Sequence, residues 1–306
     1  MNLILFKRSE LSKDGKSVRL LEKDPRTKHI FGHLRKVDGD SVTIGVISGR
    51  KGTATVRAND DDGKRLDFDV GSSPLIDSFC DGGCDETSDQ RRCEIVLVLS
   101  LPFPKRLKTL WPQITSMGVT RICIIRGGLS DPDYCNSRAI TPEVYRPLVE
   151  EGMSQGCHTR EVSVDVEVRE VVSRTILEKL GLTKTARNPS KTTDVAIFLD
   201  CGDEALEPQP CRQVIMEKLS QGNSGKKNRV ILAVGSERGW TDDEARLFHE
   251  AGYESASLGR SILRVDTATI AGLGIVCAAL DELERGEQKT QTGNAIDSSR
   301  KRKQDI

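Results

Sequence analysis

The feature that most constrains the fold is a regular alternation of short apolar runs with amphipathic segments of helical length, which extends over residues 93–285. The apolar runs predict strands at residues 93–100, 120–126, 161–166, 194–200, 229–235 and 254–258. The segments between and after them predict helices at residues 104–118, 142–156, 169–180, 208–220, 242–250 and 267–284. Strands that alternate with helices in this way are typical of a mostly parallel sheet covered by helices.

The first 70 residues have a different pattern, which predicts a small β-barrel with one inserted helix. Strand-like runs occur at residues 2–6, 17–21, 41–48, 53–57 and 65–70. Asp24-Pro25 is typical of a helix start and predicts a helix over residues 26–36. We therefore predict a first domain at 1–70, a linker rich in Gly, Ser and Asp at 71–92, an α/β domain at 93–285 and a disordered polar tail at 286–306.

The charges are distributed unevenly, although 46 Lys and Arg balance 46 Asp and Glu. Residues 1–57 contain 13 basic and 6 acidic residues, whereas residues 58–94 contain 4 and 11. Residues 95–130 contain five basic residues and no acidic one. Two basic blocks are therefore available to a polyanion such as RNA. A solvated face without a partner is the alternative interpretation.

Several classes of protein are excluded or disfavoured by simple patterns. No apolar stretch approaches the length of a membrane span, and the first residues lack the features of a secretory signal, so we expect no membrane and a cytoplasmic protein. A plastid or a mitochondrion is the alternative compartment, and the basic tail leaves the nucleus open. The nine cysteines contain no Cys-x-x-Cys pair, and we predict no metal site, the nearest approach to one being Cys80, Cys84 and Cys93.

Ligands of parallel α/β sheets bind where the carboxyl ends of strands lead into loops. Three such loops carry glycine or polar residues here, at 199–202, 234–241 and 258–267. Thr241 and Glu244 have the spacing of a capping box for the next helix. Neither a P-loop nor the glycine pattern of dinucleotide sites is present, which argues against an ATPase or an NAD enzyme.

Three motifs, taken together, resemble one known family. They are His29-Ile-Phe-Gly-His33-Leu-Arg35 followed by Gly39-Asp40, Val234-Gly-Ser-Glu-Arg-Gly-Trp-Thr241, and Leu258-Gly-Arg-Ser-Ile-Leu-Arg-Val-Asp-Thr-Ala268. In this order and at these positions they resemble the RsmE-type family of small-subunit rRNA uridine-N3 methyltransferases, which belongs to the SPOUT superfamily. This chain departs from the family motifs at Ser236, Arg238, Ser261 and Asp266.

The resemblance implies a fold, a cofactor and a partner. The expected fold is a SPOUT-type trefoil-knotted α/β domain preceded by a small PUA-like β-barrel. The expected enzyme is an S-adenosylmethionine-dependent rRNA (uridine-N3-)-methyltransferase that acts on small-subunit rRNA or on the assembling subunit, as a homodimer. A non-catalytic RNA-binding assembly factor with a degenerate knot, and a methyltransferase for another RNA site, are the alternatives.

The resemblance also suggests roles for individual residues. Arg264 is the candidate to stabilise a uridine oxygen or a phosphate, and Glu237 is the candidate to act as base or to orient the cofactor. The structural alternative for Arg264 is an ion pair with Asp266. The structural alternative for Glu237 is an interaction with the positive amino end of the next helix. The candidate cofactor-binding residues are Leu199, Gly235, Glu237, Gly239, Leu258, Gly259, Ile262 and Leu263.

The target base must be unpaired or flipped, because N3 lies inside a base pair. We expect the barrel and the helix at 104–118 to recognise the RNA. In that helix Leu107, Leu110, Ile114 and Met117 recur on one face and predict a buried side. The candidate phosphate contacts are Arg26, Lys28, Arg35, Lys36, Lys105, Arg106 and Lys108.

Overall fold

The computed structural model describes residues 3–57, 64–69, 93–183, 192–201, 208–221 and 227–301. The chain forms two compact units that are interleaved along the sequence. The first comprises Met1–Arg91, Pro104–Arg121 and Ser137–Val164, and the second comprises Arg92–Phe103, Ile122–Asn136 and Asp165–Ile306.

The first unit contains a five-stranded sheet. Its strands are β1 (Ile4–Phe6), β2 (Ser17–Leu20), β3 (Ser41–Val46), β4 (Lys51–Arg57) and β5 (Lys64–Asp69), in the order β1-β3-β4-β5-β2. Strands β1 and β3 are parallel, and the other neighbours are antiparallel. Alternate residues of these strands form a small apolar core that includes Phe6, Leu20, Ile44 and Val56.

The helix that follows β2 is shorter and less regular than predicted. Helix α1 (Pro25–Thr27) begins at Asp24, whose side chain accepts a hydrogen bond from the Arg26 amide, and it continues as a π-helical turn over Lys28–His33. The predicted helix at 26–36 ends early because Arg35 adopts a φ of +50°, which is outside the right-handed helical region.

Two helices that were predicted to belong to the second domain pack in the first unit. They are α2 (Pro104–Ser116) and α3 (Pro142–Gln155). The Leu3 amide donates to the Ser154 carbonyl oxygen at 3.1 Å, and the Thr159 hydroxyl donates to the Gly49 carbonyl oxygen at 2.6 Å. The compact units therefore differ from the predicted division at residues 70 and 93, because hydrogen bonds join the N-terminal strands to segments distant in sequence.

The second unit is built on a seven-stranded sheet in the order β10-β12-β9-β11-β6-β7-β8. The strands are β6 (Cys93–Ser100), β7 (Arg121–Arg126), β8 (Ser163–Val171), β9 (Thr192–Leu199), β10 (Gln209–Pro210), β11 (Lys227–Val234) and β12 (Glu254–Ser257). The remaining helices are α4 (Arg174–Lys179), α5 (Cys211–Ser220), α6 (Asp242–Glu250) and α7 (Val265–Lys301). The ladders that join β6, β11, β9, β12 and β10 are parallel, which confirms the predicted α/β fold.

Two elements of the second unit have other bounds than the sequence predicts. Strand β8 runs to Val171, and α4 begins only after Ser173, whose side chain caps the Ile176 amide. Helix α7 continues to Lys301, in a segment where we predicted a disordered tail from residue 286. That segment contains no proline, the residue that most strongly breaks a helix. The predicted linker at 71–92 lies outside the described residues except at its border. No helix in the described part of the chain has both the length and the apolarity to cross a membrane.

Candidate functional site

The connections that leave the neighbouring parallel strands β6 and β11 run in opposite directions across the second sheet. The chain leaves β6 towards β7 on one side and leaves β11 towards β12 on the other. Val234 is paired with Leu99, so the two strands end at the same level. Adjacent parallel strands whose connections diverge leave a crevice at their carboxyl ends, which is the usual ligand site of such sheets.

The loop after β11 closes as a tight turn. Ser236 and Gly239 form an antiparallel bridge, and the Gly239 amide donates to the Ser236 carbonyl oxygen at 2.9 Å. Gly239 has a φ of +75°, and a Cβ on Gly235 would lie 2.9 Å from the Gly239 backbone. Both glycines are therefore required by the turn itself. The turn is closed although Ser236 and Arg238 replace the residues of the family motif.

The next residues of this loop are held by a buried carboxylate. Thr241 and Glu244 form the predicted capping box of α6, with the Thr241 amide donating to Glu244 Oε2 at 2.8 Å. Glu244 Oε1 accepts a second hydrogen bond, at 2.7 Å, from the amide of Gly128 in the loop after β7. One carboxylate therefore joins two loops at this edge of the sheet. The capping box was predicted, but the contact with Gly128 was not, because it joins residues far apart in sequence.

The carboxylate of Glu237, at the tip of the turn, contacts the loop that follows β6. Its Oε1 accepts a hydrogen bond of 3.0 Å from the Phe103 amide. The aromatic ring of Phe103 makes an edge-to-face contact with Tyr134, with ring centroids 5.7 Å apart. The sequence analysis named neither Phe103 nor Tyr134 as a candidate site residue. The position of Phe103 shortly after a buried strand was the signal that could have indicated it.

The loop after β12 exposes its backbone. Gly259 has a φ of +127°, and its amide donates to the Ser257 hydroxyl at 3.0 Å. Leu258 and Leu263 are half-buried, whereas the side chain of Ile262 is 87% exposed. Core packing, the structural alternative for this apolar pair, is therefore wrong for Ile262. Strand β12 pairs with β9 at Leu199, which places the predicted residue Leu199 beside the start of this loop.

Arg264 lies at the end of the same loop, immediately before α7. Its guanidinium donates to Asp266 Oδ2 at 3.0 Å, and its side chain is largely exposed. The ion pair considered from the sequence is therefore present. An exposed pair of this kind contributes little to stability, so it leaves Arg264 available for another role.

These loops fit the cofactor that the resemblance implies. At Gly239 and at Gly259, nothing lies within 4 Å of the place where a Cβ would stand, so a ligand can approach both backbones closely. The indole of Trp240, the residue after Gly239, packs on Phe248 in the core, and its buried Nε1 is hydrogen-bonded to no atom of the described residues. Glycine backbones of this type suit the adenosine part of S-adenosylmethionine, and Leu258, Ile262 and Leu263 are apolar residues of the loop after β12.

The candidate phosphate contacts all lie in the first unit. Lys28, Arg35, Lys105 and Lys108 are exposed, and Lys36 and Arg106 are half-buried. In α2 the side chains of Leu107, Leu110 and Ile114 are buried, which confirms the predicted face, and Met117 follows the end of the helix half-buried. The basic side chains of α2 lie off the buried face.

Arg26 has a structural role that the sequence did not indicate. Its guanidinium donates to Asp24 Oδ2 at 2.7 Å, to Glu10 Oε1 at 2.6 Å and to the Leu5 carbonyl oxygen at 3.0 Å. Burial disfavours the charged form, but the hydrogen bonds to Asp24 and Glu10 outweigh it and raise the pKa of Arg26. These acceptors occupy its donors, and we therefore remove Arg26 from the candidate RNA contacts.

Two further observations delimit the site. Within the described residues no cluster of three or more His, Cys, Asp or Glu side chains could hold a metal ion, and Cys80 and Cys84 lie outside them. A cavity of about 470 Å³ in the first unit is lined by residues such as Ile47, Tyr145 and Met153. No residue predicted for the cofactor, the catalysis or the RNA lines that cavity.

Known proteins resemble this chain over most of its length. A family model described as an RNA methyltransferase domain matches residues 89–277. The ribosomal RNA small subunit methyltransferase E of Treponema pallidum is 25% identical over 284 residues, which cover 91% of each chain. The crystal structure of a ribosomal RNA small subunit methyltransferase E from Neisseria gonorrhoeae, bound to S-adenosylmethionine, has a TM-score of 0.56 at 19% identity, covering 89% of this chain and 95% of its own. A probable rRNA-methyltransferase from Porphyromonas gingivalis has a TM-score of 0.62 at 18% identity, covering 91% and 99% of the two chains.

Proposed function

Because the chain belongs to the RNA methyltransferase domain family, we propose that it methylates N3 of a uridine in small-subunit ribosomal RNA with S-adenosylmethionine as methyl donor. The protein is a methyltransferase, and the rRNA substrate follows the relatives of the RsmE type. The observation that carries the proposal is the carboxyl edge of the second sheet, where β11 and β12 lead into the loops 235–241 and 258–264 and where Gly239 and Gly259 leave the backbone open.

The cofactor supplies an activated methyl group on a sulfonium centre. The chain has to position the acceptor in line with that group and to stabilise the charge that develops on the uracil. We propose that backbone groups of Gly235, Gly239, Leu258 and Gly259, with the side chains of Leu199, Ile262 and Leu263, hold the cofactor. The positive φ and the open surroundings of Gly239 and Gly259 support this role.

Arg264 is the proposed group that stabilises the uracil. A guanidinium stays charged at neutral pH and carries several donors, so it suits an oxygen next to N3 as negative charge accumulates there. Its exposed ion pair with Asp266 holds it at the end of the loop without burying it. Glu237 is the proposed orienting group, since its carboxylate already accepts a hydrogen bond from the Phe103 amide.

The finer features of fold and assembly belong to the same proposal. The five-stranded sheet of the first unit is proposed as a PUA-like barrel that binds RNA, and the segment containing the loops after β11 and β12 as a trefoil knot. A homodimer and contact with the assembling small subunit complete it. The proposed compartment is the cytoplasm, with an organelle that contains ribosomes as the alternative.

Lys28, Arg35, Lys36, Lys105, Arg106 and Lys108 are the proposed phosphate contacts. A triple variant with Lys105, Arg106 and Lys108 each replaced by Gln should bind an rRNA fragment more weakly. The slope of log K against log salt concentration should become shallower by about 0.7 for each lost contact to single-stranded RNA. S-adenosylmethionine affinity should not change. An unaltered salt slope would remove this helix from the RNA surface.

Mass spectrometry of rRNA nucleosides from cells with and without the gene tests the proposed reaction. Loss of 3-methyluridine from the small-subunit rRNA, and its return with the wild-type gene, are the expected results. Isothermal calorimetry with S-adenosylmethionine is the companion measurement. If the protein binds the cofactor but the cells without the gene lack a different methylated nucleoside, the proposed substrate is wrong. If the protein does not bind the cofactor at millimolar concentration, the non-catalytic RNA-binding protein is the remaining alternative.

A further inference from the structure

Among the Phe, Tyr and Trp side chains described in the second unit, Phe103 is the one that is exposed. It follows β6 at the carboxyl edge of the sheet, and its side chain is 43% exposed, although the preceding strand is buried. Its position beside the crevice between β6 and β11 points to a ligand there.

The ring is also fixed in place. The Phe103 amide donates to Glu237 Oε1 at 3.0 Å, which ties its backbone to the turn after β11. The Tyr134 ring, in the loop after β7, contacts it with centroids 5.7 Å apart and planes inclined by 66°. An edge-to-face contact of this kind restrains a ring and leaves one of its faces for a further partner.

From these contacts we infer that Phe103 stacks on the target base and holds the uracil plane against the methyl donor. This rests on the proposed function. A base that is methylated on its pairing edge must leave its stack, and proteins replace the lost stacking with an aromatic face. Phenylalanine has no donor or acceptor in its side chain, so it orients the plane of the base and leaves the polar groups of the pairing edge free for hydrogen bonds. Phe103 is thus a positioning residue for the substrate.

Kinetics of three variants test this role. Phe103→Ala should lower kcat/KM for the rRNA substrate by about ten- to a hundredfold, the range expected for loss of one stacked base. Phe103→Trp should restore activity to near wild type, whereas Phe103→Leu, which is apolar but not aromatic, should not. S-adenosylmethionine affinity should be the same in all three. Val171→Ala is the matched control, because Val171 is 42% exposed and takes no part in the site.

A fluorescence titration measures stacking without the reaction. The indole of Phe103→Trp should be quenched by a short oligouridylate and not by an abasic oligonucleotide of the same length, after subtraction of the signal from Trp111 and Trp240 in the wild type. Equal kcat/KM for Phe103→Ala and wild type, or full activity of Phe103→Leu, would overturn the stacking role while the methyltransferase stands. If the wild-type protein does not transfer methyl groups, the proposed function fails, and the quenching alone decides whether Phe103 binds a base.

Discussion

Charged side chains are buried and paired at the amino ends of the strands β6, β9 and β11, whereas most of those described at the opposite edge of the sheet are exposed. At the amino ends, the guanidinium of Arg229 is completely buried and lies 3.3 Å from Asp194 and 3.8 Å from Glu94, on the neighbouring strands. At the carboxyl edge of the same sheet Glu244 is buried, but Glu237 in the loop after β11 and Arg264 in the loop after β12 are exposed, and Gly239 and Gly259 have positive φ.

The difference shows which end of the sheet can change shape. A buried charge is stable only with its partners in place, so the amino end fixes the alignment of three strands. Exposed charges on glycine-containing loops cost little to move, so the carboxyl end can adapt to a ligand. We therefore propose that stability depends more on the amino ends of these strands and ligand binding more on the opposite edge of the sheet. The following substitutions test that division, from the largest expected effect on stability to the smallest.

Arg229→Ala should have the largest effect. It leaves the carboxylate of Asp194, which is 11% exposed, without its cationic partner, and removal of one partner from a buried pair costs about 3–5 kcal/mol. Chemical denaturation followed by circular dichroism measures the loss. Adding Asp194→Asn to the variant should recover part of it.

Arg246→Ala is the control for this prediction. Arg246 pairs with Asp243 on the surface of α6, and such pairs contribute about 0–1 kcal/mol. Equal denaturation midpoints for the Arg229 and Arg246 variants would show that the amino end of the sheet is no more important for stability than a surface pair.

Glu244→Ala should have the next largest effect, because Glu244 is the one buried acid described at the carboxyl end. The amides of the exposed Gly128 and the half-buried Thr241 lose their charged acceptor, and a hydrogen bond to a charged group contributes about 1.5–3 kcal/mol. S-adenosylmethionine affinity should also fall, since the loops after β7 and β11 separate. Glu250→Ala, an exposed position on the same helix, is the control. Full cofactor affinity in the Glu244 variant would show that the two loops are held by other contacts.

The elements that the sequence predicted well are those determined by local chemistry. Strand β6 and helix α6 have the predicted bounds because a buried apolar run and a Thr241–Glu244 capping box are complete within a few residues. The predicted strand at 161–166 is shorter than the observed strand β8. Its alternation continues through Val164, Val166 and Val168, and the cap at Ser173 then starts α4. We placed a helix start inside this alternation, where only the cap marks the end of the strand.

The site was predictable in part for the same reason. Glycine motifs and strand ends located the loops after β11 and β12, because these features are local. The role of Arg26 was not predictable, since Glu10 reaches it across sixteen residues. The Phe103–Glu237 contact joins loops that are 134 residues apart in sequence. Only the order of strands in the sheet brings such groups together, and residue patterns do not encode that order locally.

Gly235→Ala should affect binding more than stability. The added Cβ would stand 2.9 Å from the Gly239 backbone, so the turn must move, and we expect S-adenosylmethionine affinity to fall about tenfold or more. Stability should fall by only about 1–2 kcal/mol, because the turn lies at the open end of the sheet. Calorimetry and thermal unfolding measure the two effects. Gly286→Ala, in α7, is the control, and it should stabilise the helix slightly. Unchanged cofactor affinity for Gly235→Ala would place the binding site elsewhere.

Arg264→Ala should have the smallest effect on stability and a large effect on turnover. Its ion pair with Asp266 is exposed, so the free energy of unfolding should change by less than about 1 kcal/mol. In the proposed reaction the developing charge on the uracil loses its partner, so we expect kcat to fall by about a hundredfold while cofactor affinity stays the same. Arg264→Lys keeps the charge without the fork of donors and should recover only part of kcat. Arg260→Ala, a neighbouring exposed arginine, should keep wild-type kcat. A fall in stability with unchanged kcat would assign Arg264 to the structure, and the two ends of the sheet would then no longer differ in their use of charge.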